Sequence, residues 1–273
     1  MTQDQEYENR KTALWERMGR YATKDVTVAF SGGADSSLVL KLACEAAKGT
    51  GRRVMAVTIQ TRLHPAREIQ EAAQIAAAMG AEHRTLEVNE LAEAGILDNP
   101  VDRCYLCKRL LFAKLREFSG SEGICCILEG TNGDDLHTYR PGIRALREMN
   151  IVSPLAEAGF TKAQVRRLAA ECGLAAADKP ASPCMATRFP YGTRLSYEAM
   201  DQAAAGEKCL RDLGFYHVRL RVHGDVARLE VDVEAFPAVL DEREAITARM
   251  KELGYRYVTL DLEGFRSGSM DMD

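Results

Sequence analysis

No run of apolar residues in this sequence approaches the about 20 that a membrane-spanning helix requires, which excludes an integral helical membrane protein. An apolar leader is missing too. The chain opens Met-Thr-Gln-Asp-Gln-Glu-Tyr-Glu, so export is not expected and a cytoplasmic protein is. Aromatic residues make up 7%, with one tryptophan, and the net charge is −4. Bulk nucleic-acid binding calls for a strongly basic face, so no nucleic-acid partner is expected. Proline is sparse at 8 residues, and no strict repeat or low-complexity segment breaks the chain. Cysteine is not sparse, at 8. Without an export signal these are expected to be reduced thiols, metal ligands or catalytic groups rather than a disulfide framework. The length of 273 residues suits one large domain or two moderate ones.

What the sequence does contain begins with Ser31-Gly32-Gly33-Ala34-Asp35-Ser36-Ser37. It follows an apolar strand candidate, Val26 to Phe30, and precedes an apolar helix candidate, Leu38 to Ala47. Glycines at such a junction let the backbone approach a ligand without Cβ interference. Unpaired N–H groups at the positive end of a helix then form an anion site. Serine hydroxyls add donors, and Asp35 can hold magnesium or cap the helix. No lysine follows the glycines, so the loop is not a Walker A motif, nor is it Gly-x-Gly-x-x-Gly.

Further along, apolar strands alternate with amphipathic helices. Residues 1–22 read as a helix with Leu14, Met18 and Tyr21 on one face. Strand candidates recur at 54–59, 84–88, 124–129 and 150–154. Helices carry Ile69, Ala72, Ala76 and Met79, then Leu110 to Phe118. Thr161 to Gln164 is a capping box opening another helix. The pattern predicts an α/β parallel sheet with helices on both faces and ligands at the carboxyl ends of its strands. After a loop rich in proline and glycine, 179–193, the period changes. A helix capped by Ser196, a hairpin over 218–233, a helix to Leu253 and a strand within 255–262 make a small α+β unit. The expected domains are 1–193 and 194–273, the second serving substrate contacts or oligomerisation, and a homo-oligomer is expected.

Cys104 and Cys107 form a Cys-Tyr-Leu-Cys pair at the mouth of a helix, and Cys184 lies in a loop without helical or strand period. Cys44, Cys125, Cys126, Cys172 and Cys209 fall in apolar elements and are expected to serve packing. A lone pair of this spacing suits a redox couple or half a zinc site. Three thiolates with one open position suit a 4Fe–4S cluster whose fourth iron is free. Glu129-Gly130-Thr131-Asn132-Gly133-Asp134-Asp135 follows the fourth strand. Gly130 is placed at the nucleotide there, and the acids, Asp135 with Asp35, are candidate magnesium ligands or members of a solvated turn. Arg140 and Arg188 sit in loops stiffened by proline and suit a bidentate grip on carboxylate or phosphate. Arg219, Arg221 and Arg266 either share that role or line solvated faces.

Ser-Gly-Gly-x-Asp-Ser after an apolar strand resembles the loop of the PP-loop ATP pyrophosphatases. With Tyr-Arg-Pro-Gly at 139–142, residues 182–193 and the segments 253–262 and 264–268, the chain resembles the ATP-dependent sacrificial sulfur transferases of LarE type. The resemblance implies ATP held by Ser31, Gly32, Gly33, Asp35, Ser36 and Gly130, with Mg2+. It implies adenylation of a pyridinium-3,5-biscarboxylic acid mononucleotide carboxylate followed by sulfur transfer, toward the nickel-pincer nucleotide cofactor of lactate racemase. Asp35 and Cys184 are the implied catalytic residues, and Arg140, Arg188, Arg219 and Arg266 the implied substrate contacts. The family knows two sulfur sources. In one, the residue matching Cys184 gives up its own sulfur and becomes dehydroalanine. In the other, residues matching Cys104, Cys107 and Cys184 hold a 4Fe–4S cluster with an extra sulfide, resupplied by a sulfur donor. All three cysteines are present, and the cluster form is expected. The alternatives are an iron–sulfur tRNA thiolation enzyme, an ammonia-using amide synthetase and a non-catalytic nucleotide sensor.

Overall fold

The computed structural model describes residues 2–63, 67–138, 140–175, 184–266 and 269–270, without the side chains of 67–69. Tyr139, residues 179–183, Ser267, Gly268 and the side chain of Ile69, all named above, lie outside the described residues. The chain divides into two compact units, Met1–Ala94 with Asp102–Ser182, and Gly95–Val101 with Pro183–Asp273. A boundary at 193 therefore falls inside the second unit, and the short segment from Gly95 joins that unit too.

The first unit is built on a four-stranded parallel sheet. Its elements are α1 (Gln3–Tyr21), β1 (Val26–Ala29), α2 (Ala34–Ala47), β2 (Val54–Gln60), α3 (Arg67–Ala78), β3 (Glu82–Glu87), α4 (Glu90–Glu93), α5 (Arg103–Ser121), β4 (Cys126–Leu128), α6 (Gly142–Glu148), α7 (Pro154–Glu157) and α8 (Lys162–Glu171). The strand order is β3-β2-β1-β4. Successive β2 residues point to opposite faces. Val54 and Ala56 pack with Leu14 and Met18 of α1, Leu38 of α2 and Val165 of α8. Met55 and Val57 pack with Phe112 and Leu115 of α5 and Leu146 of α6. Both faces are covered, as parallel sheets require.

The strand expected over 150–154 is reduced to one parallel bridge between Val152 and Leu128. The ends explain it: Asn150 takes a left-handed φ of 53°, and Pro154 opens α7. From β1 the chain runs through β2 to β3 on one side, then returns to place β4 on the other. The connections thus reverse beside β1, and the crevice beyond the carboxyl ends of β1 and β4 is where such sheets bind ligands.

The second unit holds α9 (Tyr197–Asp212), β5 (Val218–His223), β6 (Val226–Val231), α10 (Phe236–Asp241), α11 (Arg243–Glu252) and β7 (Tyr257–Leu260). β5 and β6 are antiparallel, and β7 joins β6 in parallel. Val218, Leu220 and Val222 are buried as their alternation predicts. Residues 95–101 attach to this unit through hydrogen bonds. Gly192 N–H donates to Asn99 O at 3.0 Å and Leu195 N–H to Leu97 O at 2.7 Å. The Asn99 amide reaches Phe189 O at 3.1 Å and Pro190 O at 2.7 Å. Among the described residues, no helix is long and apolar enough to cross a membrane.

Candidate active site

The loop between β1 and α2 is tied by its own serines. Ser36 Oγ accepts from Ser31 N–H at 3.2 Å, lies 3.1 Å from Ser31 Oγ and donates to Gly33 O at 3.2 Å. Gly32 takes φ 73°, a conformation L side chains rarely adopt. The first helical bond is Ser37 N–H to Gly33 O, at 2.9 Å. The N–H groups of the first helical turn before it thus have no partner inside the helix and suit phosphate oxygens.

The loop after β4 closes on this one from the other side of the switch point. A Cβ on Gly130 would stand 2.9 Å from Ser36 N and 3.1 Å from the Asp35 carbonyl carbon, so only glycine lets the two loops approach this closely. Asn132 Nδ2 donates to Asp35 Oδ1 at 3.2 Å. Asn132 Oδ1 accepts from the N–H groups of Asp134 and Asp135 at 3.0 and 3.2 Å, an Asx turn that fixes the acids. Asp35 and Asp135, the candidate magnesium ligands, are each paired to a cation. Lys162 holds Asp35, and Arg140 Nη2 lies 2.9 Å from Asp135 Oδ1. Lys162 also donates its backbone N–H to Asp134 Oδ2 at 2.8 Å.

Sequence reasoning missed Lys162, seeing only the capping box that surrounds it. Its one signal was position: a lysine opening a helix at the carboxyl edge of the sheet. Glu129 is buried and serves the fold. It accepts from Thr131 N–H at 2.9 Å, from Thr131 Oγ1 at 2.8 Å and from Ser153 Oγ.

Cys104 and Cys107 lie three residues apart at the start of α5 and are half-buried. That spacing sets both thiols on one helix face. The start of α6 packs against the same turns, since a Cβ on Gly142 would meet Lys108 Cδ at 3.2 Å and Cys104 O at 3.5 Å. Within the first unit, the phosphate loop, Gly130, Asp135, Arg140 and the cysteine pair are therefore linked in sequence through packed loops. Among the described residues, no group of three or more His, Cys, Asp or Glu side chains is gathered as a metal site.

Cys184 and three of the four candidate substrate arginines belong to the second unit. Arg188, expected to grip substrate, has its fork on Glu207: Nε to Oε1 at 2.8 Å and Nη2 to Oε2 at 3.0 Å, both side chains buried. Arg266 lies 2.5 Å from Glu263 and 3.7 Å from Asp261. Arg219 differs, making no ion pair among the described residues. It donates to Val218 O at 2.8 Å and packs on Phe265, its guanidinium carbon 5.1 Å from the ring centre. Burial holds its pKa below the ordinary arginine value, and the positive charges of Arg188 and Arg221 add to that.

Of the five cysteines expected to pack, Cys44, Cys126, Cys172 and Cys209 are half-buried. Burial pushes the Cys44 thiol up to about 11 and raises Cys126 and Cys172. Cys125 corrects the expectation. It is exposed, because the strand begins only after it, at Cys126.

Similarities to known proteins bear on this arrangement. The asparagine synthase family profile matches residues 12–243. A pyridinium-3,5-bisthiocarboxylic acid mononucleotide synthase of Lactiplantibacillus plantarum is 40% identical over 247 residues, covering 90% of this chain and 88% of its own. An uncharacterized protein of Synechocystis sp. is 36% identical over 246 residues, 89% of this chain and 91% of its own. A tRNA-specific 2-thiouridylase of Trichlorobacter lovleyi is 28% identical over 187 residues, only 56% of this chain and 51% of its own.

Proposed function

This chain belongs to the LarE-type sulfur transferases within the PP-loop ATP pyrophosphatases, and on that premise we propose that it converts pyridinium-3,5-biscarboxylic acid mononucleotide to its thiocarboxylate forms, a step toward the nickel-pincer nucleotide cofactor. The observation that carries the reading is the closure of the Gly130 loop onto the start of α2, at the sheet's switch point. Beside it are the backbone N–H groups at the start of α2, suited to phosphate oxygens, with two acids and two cations nearby.

A carboxylate resists sulfur attack because it is anionic and lacks a leaving group. In the proposed sequence, a substrate carboxylate oxygen attacks the α-phosphorus of ATP and pyrophosphate departs. A sulfur nucleophile then adds to the acyl carbon and AMP departs, leaving the thiocarboxylate. Ser31, Gly32, Gly33, Ser36 and Gly130 position the phosphates. Asp35 and Asp135 would hold Mg2+, which would neutralise phosphate charge, and Lys162 and Arg140 are the cations beside them suited to phosphate oxygens. Arg219, which makes no ion pair among the described residues, suits a substrate anion better than Arg188, whose donors already serve Glu207.

As sulfur source we propose a 4Fe–4S cluster that Cys104, Cys107 and Cys184 would hold. The pair on α5 fits two adjacent cluster ligands, being half-buried on one helix face. Such a cluster would supply the sulfide to be transferred. The deciding experiment follows the mass of the chain during anaerobic turnover with ATP and substrate. More than one turnover with Cys184 intact supports the cluster. Dehydroalanine at Cys184 after a single turnover means that its own Cβ–Sγ bond is cleaved by elimination and that the sacrificial route holds.

A further inference from the structure

The turn that carries Cys184 is held at both ends by buried guanidinium groups. Cys184 caps the 3-10 turn Met185–Arg188. Its carbonyl oxygen accepts from Thr187 N–H at 3.1 Å, Thr187 Oγ1 at 2.8 Å and Arg188 Nη1 at 3.3 Å. Arg188 Nη1 also donates to Thr187 Oγ1, at 3.0 Å. At the other end, Thr187 O accepts from Arg221 Nη1 at 2.7 Å.

Each arginine is seated on a carboxylate before it reaches the turn. Arg188 sits on Glu207 of α9, whose Oε1 also accepts Leu220 N–H at 3.2 Å and so ties the helix to β5. Arg221 sits on Glu230 of the neighbouring strand, with Nε 3.0 Å and Nη2 2.9 Å from Oε2. Ser269 Oγ and Arg228 Nη2 complete that carboxylate on Oε1, at 2.7 and 3.1 Å. The Arg188, Glu207, Arg221 and Glu230 side chains are all 5% exposed or less.

Buried ion pairs are weak contributors to stability, because desolvating both charges offsets their attraction. Their placement is better explained by geometry. In both pairs the guanidinium's Nη1, the nitrogen that the carboxylate does not take, points into the same four-residue turn.

We propose that Arg188–Glu207 and Arg221–Glu230 are positioning pairs that fix the backbone of the Cys184 turn for the sulfur-transfer step; this rests on the reaction proposed above. Whether Cys184 gives sulfur or anchors the group that does, its Sγ must stay within a fraction of an ångström of its working place. A displacement of about 1 Å costs about a hundredfold in rate.

The test uses the full chain with Thr187→Val, which removes the hydroxyl bridging Cys184 O and Arg188 while leaving every charge in place. Arg221→Lys, which keeps the charge and loses the second donor arm, serves if the first variant fails to fold. Two readouts are taken. The first is alkylation of Cys184 by iodoacetamide, with Cys209 of the same unit as internal control. The second compares substrate-dependent ATP–pyrophosphate exchange with single-turnover thiocarboxylate formation. The expected result is a Cys184 labelling rate changed at least threefold with Cys209 within twofold, exchange preserved and transfer reduced by tenfold or more. Unchanged Cys184 labelling and transfer overturn the proposal. So does a parallel fall of exchange and transfer with a raised substrate KM, which marks a binding role. If the parent protein shows no substrate-dependent exchange, the reaction assigned above fails, and the labelling arm alone decides the positioning.

Discussion

Lys162 and Asp35 stand 127 positions apart in sequence and share an ion pair at the mouth of the phosphate loop. Asp35 lies in the first turn of α2, and Lys162 is the first residue of α8. The ammonium balances the Asp35 carboxylate, which the proposed function assigns to magnesium. Binding of Mg2+ and ATP would free Lys162 to meet the phosphates.

Replacing Lys162 with alanine is therefore expected to slow pyrophosphate release by on the order of a hundredfold, the usual effect of losing one donor to developing charge. Lys162→Gln should do little better, since it lacks the charge. Circular dichroism should show the fold intact, because Lys162 is partly exposed. Pyrophosphate release at the parent rate would reduce the pair to a surface contact.

Gly130→Ala tests the closeness of the two loops. The new methyl would sit 2.9 Å from Ser36 N, so the start of α2 or the Gly130 loop must shift. A loss of about a hundredfold in ATP–pyrophosphate exchange is expected, with a lowered thermal midpoint, since forcing backbone apart costs about 1–3 kcal/mol. Unimpaired exchange would show that the phosphate loop tolerates the displacement.

Much of the fold was legible in the sequence, because strand and helix periods are local. The alternation of apolar runs gave the parallel sheet, and Thr161 with Gln164 gave a capping box that the structure contains in full. What was not legible depends on distant partners. Nothing near Lys162 announces Asp35, and nothing near Arg188 announces that Glu207 will take its fork. Attachment of residues 95–101 to the second unit rests on backbone hydrogen bonds to residues about 90 positions on, which leave no local mark. The shortened strand at Val152 was in principle readable, since Asn150 and Pro154 bracket it.

The thiols separate by pH. A buried thiol favours its neutral form, so the Cys44 pKa lies near 11 and its thiolate fraction at about pH 8 is about a thousandth. In the folded protein at that pH, Cys125 should be alkylated by iodoacetamide and Cys44 spared, with Cys44 labelling rising as pH approaches 11. In denaturant both should react alike. Peptide mass mapping reads the result, and equal labelling in the folded chain would contradict the burial described.

Thr27 is fully buried on β1, and its hydroxyl finds no hydrogen-bond partner among the described residues. Thr27→Val removes the unsatisfied group at nearly constant volume. A gain of about 1 kcal/mol is expected, read as a higher urea midpoint at unchanged slope. A lower midpoint would place a partner at that hydroxyl.

The most direct measurement is mass spectrometry of the small-molecule product. Anaerobic, iron- and sulfide-reconstituted protein is supplied with ATP, Mg2+ and pyridinium-3,5-biscarboxylic acid mononucleotide. The expected result is replacement of carboxylate oxygen by sulfur in the mononucleotide, with AMP and pyrophosphate formed in step with each sulfur transferred. AMP and pyrophosphate formed without that substrate, or a product whose carboxylate carries nitrogen from ammonia in place of sulfur, would contradict the assignment.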